Sequence, residues 1–340
     1  MIHSPVLIIG CPRSGTTLLY NILSEIPEFW SIGYESKTII ENYHHPSTKA
    51  WLSGELVASD ITPESRSYML DEFERQAAPG RFWQRVNRYR YWLRDKSGWQ
   101  AIKRHGRTRK TGSRASNAVP NQGLNALRKI VRLRNTVTPR PSKGIRLLEK
   151  TPENCLRLPF LLELFPDARV IYLVRDGRAN VNSLMEGWRQ PHAFPGYQVP
   201  GGVAIPGDTR GRWAFTLIPG WEALRECSLE EVCAWQWVQC NQAVLDHQAQ
   251  TKGRVPYLRV HYEDLTRNPD EVLPHLSEFL EIPYEGVISN YAESLPQINV
   301  VSAPDPEKWR NQNGEAIERI LPILESMLTQ LNYISASNSL

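Results

Sequence analysis

The residues best suited to chemistry lie at Gly10-Cys11-Pro12-Arg13-Ser14-Gly15, followed by Thr16-Thr17. A glycine-bounded loop that opens a helix aims several backbone N–H groups into one concavity at the positive end of the helix dipole. Such a site takes an anion, most often a phosphate. Arg13 adds a guanidinium fork that suits phosphate or sulfate oxygens, and Thr16 and Thr17 add hydroxyl donors at the helix start. Two further groups are candidates for the same site. Lys150 stands at the exit of an apolar run and can face an anion there. Glu35 lies 22 residues beyond Arg13, where a returning strand or turn would bring a carboxylate beside the loop. A carboxylate poised by burial or a neighbour can take a hydroxyl proton; the plainer reading of Glu35 is a surface residue paired with Lys37.

These residues need elements to hold them. Val6–Ile9 is a short apolar run that predicts a buried strand, and Leu18, Leu19, Ile22, Leu23 and Ile26 recur at helical spacing after the loop. Ile145–Leu148, Val170–Val174 and Tyr257–Tyr262 predict further strands. Thr151 as N-cap with Pro152 behind it predicts a helix start. Ser228 with Glu231 makes a capping box, and Leu229, Cys233, Trp237, Cys240 and Val244 form one apolar helix stripe. Asn268-Pro269 starts a helix carrying Leu273, Leu276 and Leu280, and the polar tail from Asn332 is expected to fray. Strands alternating with helices imply an α/β fold with a mostly parallel central sheet covered on both faces.

Composition bounds the rest. The 340 residues are 41% hydrophobic and include 11 tryptophans, which argues for a folded globule. No apolar run reaches transmembrane length, and the first strand begins close to Met1, so a soluble, cytoplasmic protein is expected. The five cysteines are scattered without a CxxC pair, which predicts reduced thiols and no metal site. The adjacent His44 and His45 read as a surface turn, and Phe82, Trp83, Tyr89, Tyr91 and Trp92 read as core packing or the wall of an acceptor pocket. The net charge of +4 conceals a segregation: 14 of the 40 basic residues lie between Asp95 and Glu149, an interval with no acidic residue. Residues 101–144 therefore read as a basic insertion, serving as a lid, an acceptor dock, or a contact for an anionic membrane or nucleic acid. Its lack of aromatic residues disfavours binding of single-stranded nucleic acid by base stacking. Residues 189–221, rich in Gly and Pro, read as a long loop over the site.

The spacing from Gly10 to Gly15 is that of a nucleotide-triphosphate loop, but threonine occupies position 16 where such a loop carries lysine. The PRSGTT string instead resembles the 5′-phosphosulfate loop of sulfotransferases that use 3′-phosphoadenosine 5′-phosphosulfate (PAPS), closest to the branch with tyrosylprotein sulfotransferases and many bacterial relatives. Three further stretches carry the same resemblance. Val174-Arg175-Asp176-Gly177-Arg178 through Ser183 resembles the 3′-phosphate strand, loop and helix; Gly33-Tyr34-Glu35-Ser36-Lys37 resembles the segment bearing the general base; Tyr262-Glu263-Asp264-Leu265 with Pro269 is a further signature. The resemblance implies a single domain over residues 1–335 with a P-loop NTPase-like three-layer sandwich. It implies sulfuryl transfer from PAPS to an acceptor hydroxyl or amine, with 3′,5′-adenosine bisphosphate (PAP) as product and no metal. Glu35 is then the base. Arg13 and Lys150 stabilise charge, and Arg13, Ser14, Gly15, Thr16 and Thr17 hold the 5′-phosphosulfate. Arg175 and Ser183 hold the 3′-phosphate, Tyr262 lies near the cofactor, and Ser302 and Lys308 belong to a closing C-terminal loop. Asp176 and Arg178 are expected to pair locally or cap. The acceptor is a saccharide, lipid, small metabolite or peptide, with no nucleic-acid partner. The alternatives are a small-molecule kinase of the same fold and a module that binds an anionic polymer.

Overall fold

The computed structural model describes residues 1–77, 144–190, 194, 196–204, 211–292, 295 and 307–335. The aromatic cluster of residues 82–92, the basic segment 101–143 and Ser302 lie outside the described residues.

Five parallel strands form the central sheet: β1 (Val6–Ile9), β2 (Phe29–Trp30), β3 (Arg146–Lys150), β4 (Arg169–Val174) and, after a short antiparallel pair β5 (Gly196–Tyr197) and β6 (Trp213–Ala214), β7 (Tyr257–His261). The order is β2-β3-β1-β4-β7. β1 is central, with Ile8 paired to Lys150 on one side and to Ile171 on the other. The chain leaves β1 towards β3 on one flank and later returns to β4 on the other. The loops after β1 and β4 therefore part at their C-terminal ends, the usual place for a ligand crevice in an open α/β sheet.

Parallel strands covered on both faces should be apolar on both, and they are. Leu7, Ile9, Leu147, Val170 and Tyr172 belong to one core cluster, whereas Val6, Ile8, Leu148, Ile171 and Leu173 belong to the other. Helices α1 (Thr16–Ser24) and, late in the chain, Pro269–Leu280 cover the second face. The first face is covered by α2 (Lys37–His44), α3 (Pro63–Ala77), α4 (Leu158–Leu164), α5 (Gly177–Trp188), α6 (Leu229–Thr251) and the C-terminal Lys308–Gln330. The result is the expected three-layer architecture. On α6 the stripe Leu229, Cys233, Trp237, Cys240 and Val244 is buried, and the Ser228–Glu231 capping box forms reciprocally. All five cysteines are free thiols, and among the described residues no side-chain cluster could hold a metal.

Several local expectations change. Thr151 precedes a 3-10 turn, Pro152–Leu156, rather than an α-helix, and its hydroxyl turns away from the cap to donate to Glu149. The strand before it extends through Lys150. The late strand stops at His261, and Tyr262 opens the short helix α7 (Tyr262–Arg267). The 189–221 excursion contains the β5–β6 pair, so part of it is a ribbon rather than loop. The tail does not fray at Asn332: Tyr333 is half-buried, its hydroxyl bonded to Glu263 at 2.8 Å.

One buried ion pair ties these parts together. Arg157, fully buried, donates to Glu41 Oε1 at 2.7 Å and to the Gly54 carbonyl at 3.0 Å. The Tyr197 hydroxyl of β5 donates to the same Glu41 oxygen at 2.5 Å. Glu41→Ala would strand a buried guanidinium. We expect a loss of about 3–5 kcal/mol in denaturant unfolding, and a loss below about 1 kcal/mol would show that backbone partners alone satisfy Arg157.

Candidate active site

The phosphate loop is built by positions that reject other residues. A Cβ on Gly10 would lie 2.4 Å from the Leu173 carbonyl oxygen of β4. Gly15 has φ +100°, and a Cβ there would lie 2.4 Å from the Tyr262 ring. Arg13 adopts φ 71°, a conformation that costs a non-glycine residue about 1–3 kcal/mol and persists only where its surroundings over-determine it. They do so here. Asn180 donates to the Pro12 carbonyl at 3.0 Å, Arg175 Nη1 donates to the Arg13 carbonyl at 3.0 Å, and Arg13 Nε donates to Ser183 Oγ at 3.1 Å. Phe194 lies under the Arg13 guanidinium, 4.7 Å from ring centre to Cζ.

The loop carries unmet capacity for an anion. Gly15 gives α1 no side-chain cap. Ser14 is 1% exposed, and among the described residues neither its Oγ nor the buried Nε atom of Arg175 has a hydrogen-bond partner. Arg13 and Arg175 form no ion pair among the described residues. Burial first, and then the positive charge of Arg175, push the Arg13 guanidinium below its usual range. Two crowded, part-buried cations with no carboxylate bonded to either are electrostatically unfavourable until an anion joins them.

Tyr262 joins the two halves of this centre. Its ring packs on Gly15 and lies 4.8 Å from the Arg175 guanidinium. Behind Arg175, Trp237 Nε1 donates to its carbonyl at 3.2 Å, and the Trp237 ring fills the space that a Cβ on Gly177 would need. Asp176 caps α5 through the Arg178 N–H and holds the Arg178 side chain, as expected. Glu263 accepts the Asp176 N–H at 3.1 Å and is itself held by Tyr333, whose hydroxyl burial and Glu263 together push above its usual range.

On the other flank, Lys150 at the end of β3 donates to Glu35 Oε1 at 2.8 Å. Lys150 is buried, and the Glu35 side chain is 31% exposed. Glu35 thus pairs with Lys150 rather than Lys37, which bonds Glu153 at 3.3 Å and lies 3.6 Å above the Tyr197 ring centre. Under this pair lies Glu149, whose carboxyl accepts from Ser36, Thr151 and Asn154. Burial pushes that carboxyl above the usual range, against the pull of these three donors and the Lys150 charge.

The structure therefore gathers Arg13, Ser14, Gly15, Thr16, Thr17, Arg175, Ser183 and Tyr262 into one centre and pairs Glu35 with Lys150 on the adjacent strand. Lys308, at the start of the last helix, pairs with Glu186 of α5 at 2.7 Å, and the Glu186 charge is felt at Arg13. Asn180, Trp237 and Glu263 bond backbone across long separations, and Tyr333 bonds the Glu263 carboxylate; the sequence names Trp237 only as a stripe residue and Glu263 only within a signature, and gives no sign of these bonds. Glu149 receives no role from the sequence, although it had a signal: a carboxylate directly after the apolar pair Leu147-Leu148 of a predicted strand.

The Sulfotransferase family model matches residues 5–198, more than half of the chain. Protein-tyrosine sulfotransferase A of Caenorhabditis elegans is 28% identical over 150 residues, covering 44% of this chain and 31% of that protein. Protein-tyrosine sulfotransferase 1 of Danio rerio is 26% identical over 210 residues, covering 56% of this chain and 49% of that protein. The chain thus spans half or less of the length of these curated relatives. Among solved structures, sulfotransferase STF9 from Mycobacterium avium aligns with a TM-score of 0.45 at 17% identity, over 97% of this chain and 77% of that one.

Gly15→Ala should cost more than Gly253→Ala. Both glycines have positive φ, but nothing lies within 4 Å of a Cβ at Gly253. Backbone strain alone predicts about 1 kcal/mol at each site. Displacing Tyr262 should add a further 1–2 kcal/mol, roughly, at Gly15. Equal losses in urea unfolding would show that Tyr262 is not seated on the loop.

Proposed function

The chain belongs to the Sulfotransferase family, and from that premise we propose that it moves a sulfuryl group from PAPS to an acceptor hydroxyl or amine. The observation that carries this reading is the crowding of Arg13 and Arg175 beside a loop whose Ser14 hydroxyl and α1 terminus lack side-chain partners. Arg13, Ser14, the loop amides and the hydroxyls of Thr16 and Thr17 would hold the 5′-phosphosulfate. Arg175 and Ser183 would hold the 3′-phosphate, the group that distinguishes PAPS from ATP. The Arg13–Ser183 hydrogen bond joins the two phosphate-binding sets, which suits a ligand carrying both groups.

In the transfer, the bond between sulfur and the phosphate oxygen breaks as the acceptor oxygen or nitrogen bonds to sulfur. Negative charge grows on the departing 5′-phosphate, where Lys150 and Arg13 stabilise it. The acceptor proton passes to Glu35. Lys150 is the group that both poises Glu35, by ion pairing at 2.8 Å, and serves the leaving phosphate. Aligning donor and acceptor supplies most of the acceleration, as in phosphoryl transfer. Sulfuryl carries less charge than phosphoryl, so the reaction proceeds without a metal. The acceptor is a saccharide, lipid, small metabolite or peptide, met in the cytoplasm. No helix among the described residues is long and apolar enough to cross a membrane.

Incubation with PAPS and a panel of hydroxyl acceptors should yield one PAP per sulfated product, with the rate unchanged by EDTA. Glu35→Gln should lower turnover by ~10²–10⁴ and leave PAP affinity nearly intact. Wild-type turnover by that variant would remove Glu35 from the mechanism, and a rate abolished by EDTA would overturn metal independence.

A further inference from the structure

β3 reads Arg146-Leu147-Leu148-Glu149-Lys150, and Glu149 is only 1% exposed. Its Oε1 accepts from the Ser36 and Thr151 hydroxyls, each at 2.6 Å, and its Oε2 accepts from Asn154 Nδ2 at 3.0 Å. Thr151 Oγ1 also accepts the Ser36 N–H at 2.7 Å. Ser36, Thr151 and Asn154 are all fully buried. Among the described residues Glu149 forms no ion pair.

Stability does not account for this arrangement. A buried carboxylate held only by neutral donors keeps much of its desolvation cost, and well-packed apolar groups generally serve a core position as well or better. What the cluster does have is an address. Ser36 directly follows Glu35. Lys150 stands between Glu149 and Thr151. One buried carboxyl therefore grips the chain on both sides of the Glu35–Lys150 pair: at the turn that presents Glu35 and at the strand exit that presents Lys150. The two segments are 113 residues apart in sequence at their shortest bond, from the Ser36 hydroxyl to Glu149. The donor-binding side chains Arg13, Arg175 and Ser183 have no hydrogen bond to the cluster.

We propose that Glu149 is a positioning residue for the transfer step, fixing where Glu35 stands relative to Lys150. This rests on the assignment of Glu35 as base and Lys150 as charge stabiliser. Without Glu149 the Ser36 backbone loses its fixed seat, and Glu35, a partly exposed side chain with three torsions, samples positions away from the acceptor proton. Misplacement by about 1 Å is enough to cost on the order of 10²-fold in rate. Donor affinity, set mainly by Arg13, Arg175 and Ser183, should fall far less than turnover.

The test measures turnover and PAP affinity side by side in four variants. Glu149→Ala should lose about 10²-fold in turnover with PAP affinity close to wild type. Glu149→Gln should restore most of the loss. Its carbonyl oxygen can accept both hydroxyls, and its amide can donate to Asn154 Oδ1, which has no partner among the described residues, once the Asn154 amide turns over. Thr151→Val, which keeps shape and removes the hydroxyl, should lose about tenfold in turnover and decides the question if Glu149→Ala fails to fold. Glu35→Gln is the control for the underlying reading. If Glu35→Gln is inactive but Thr151→Val and Glu149→Ala turn over at the wild-type rate, Glu149 has no positioning role. A fall in PAP affinity that matches the fall in turnover, or a Gln variant as impaired as Ala, would likewise overturn the proposal in favour of a purely structural role. If Glu35→Gln itself turns over normally, the base assignment fails and takes the proposal with it.

Discussion

Two guanidiniums held close together at the C-terminal edge of the sheet are the constraint on which the rest of this structure depends. Arg13 and Arg175 come from loops after adjacent strands, β1 and β4, and among the described residues neither is neutralised by a bonded carboxylate. Keeping them there requires a backbone that resists their repulsion. The loop provides it through two glycines with no room for a Cβ and a left-handed Arg13. Three hydrogen bonds from α5 and its leading loop hold it there. Tyr262 lies between the Gly15 backbone and the Arg175 guanidinium, so the late strand β7 is tied into a site formed by the first residues of the chain.

The second half of the site follows from register. Because Ile8 is opposite both Lys150 and Ile171, the exits of β3 and β4 open beside the phosphate loop from its two flanks. Lys150 therefore arrives on the flank opposite Arg175. The Glu35 turn reaches it because β2 pairs with β3. Charge is thus graded across the crevice: two crowded cations on one side, an ion-paired cation and carboxylate on the other. A polyanionic donor would meet the first, and a hydroxyl that must lose a proton would meet the second.

Much of this could be read from residues alone, and the reason is locality. Strand β1, the glycine loop, helix α1 and the α6 stripe are each specified within a dozen residues or so by apolar spacing, left-handed glycines and caps. Arg13 is nameable from the glycine loop itself, whereas Arg175 and Ser183 are nameable because one contiguous stretch resembles the 3′-phosphate strand, loop and helix. What escaped was specified by contacts across the chain. Thr151 looked like a helix cap, but a buried carboxylate two residues away competed for its hydroxyl. Tyr333 looked like part of a polar tail, but Glu263 offers its hydroxyl an acceptor. Glu35 looked like a partner for Lys37, yet burial gives Lys37 to Glu153 and Tyr197 and leaves Glu35 to Lys150. At Tyr333 and Glu35 a short-range expectation lost to a tertiary hydrogen bond, and at Thr151 to a buried carboxylate two residues away, where an unmet polar group is more costly than an unused cap.

The most direct test of this account is a calorimetric titration with 3′,5′-adenosine bisphosphate beside 5′-AMP and ATP, without metal, in the wild type and in Arg175→Ala. Crowded cations shared between two phosphate sites predict strong preference for the bisphosphate, lost in the variant. Equal or ATP-favoured binding by the wild type would contradict the assignment of Arg175 and Ser183 to a 3′-phosphate, and with it the choice of PAPS as donor.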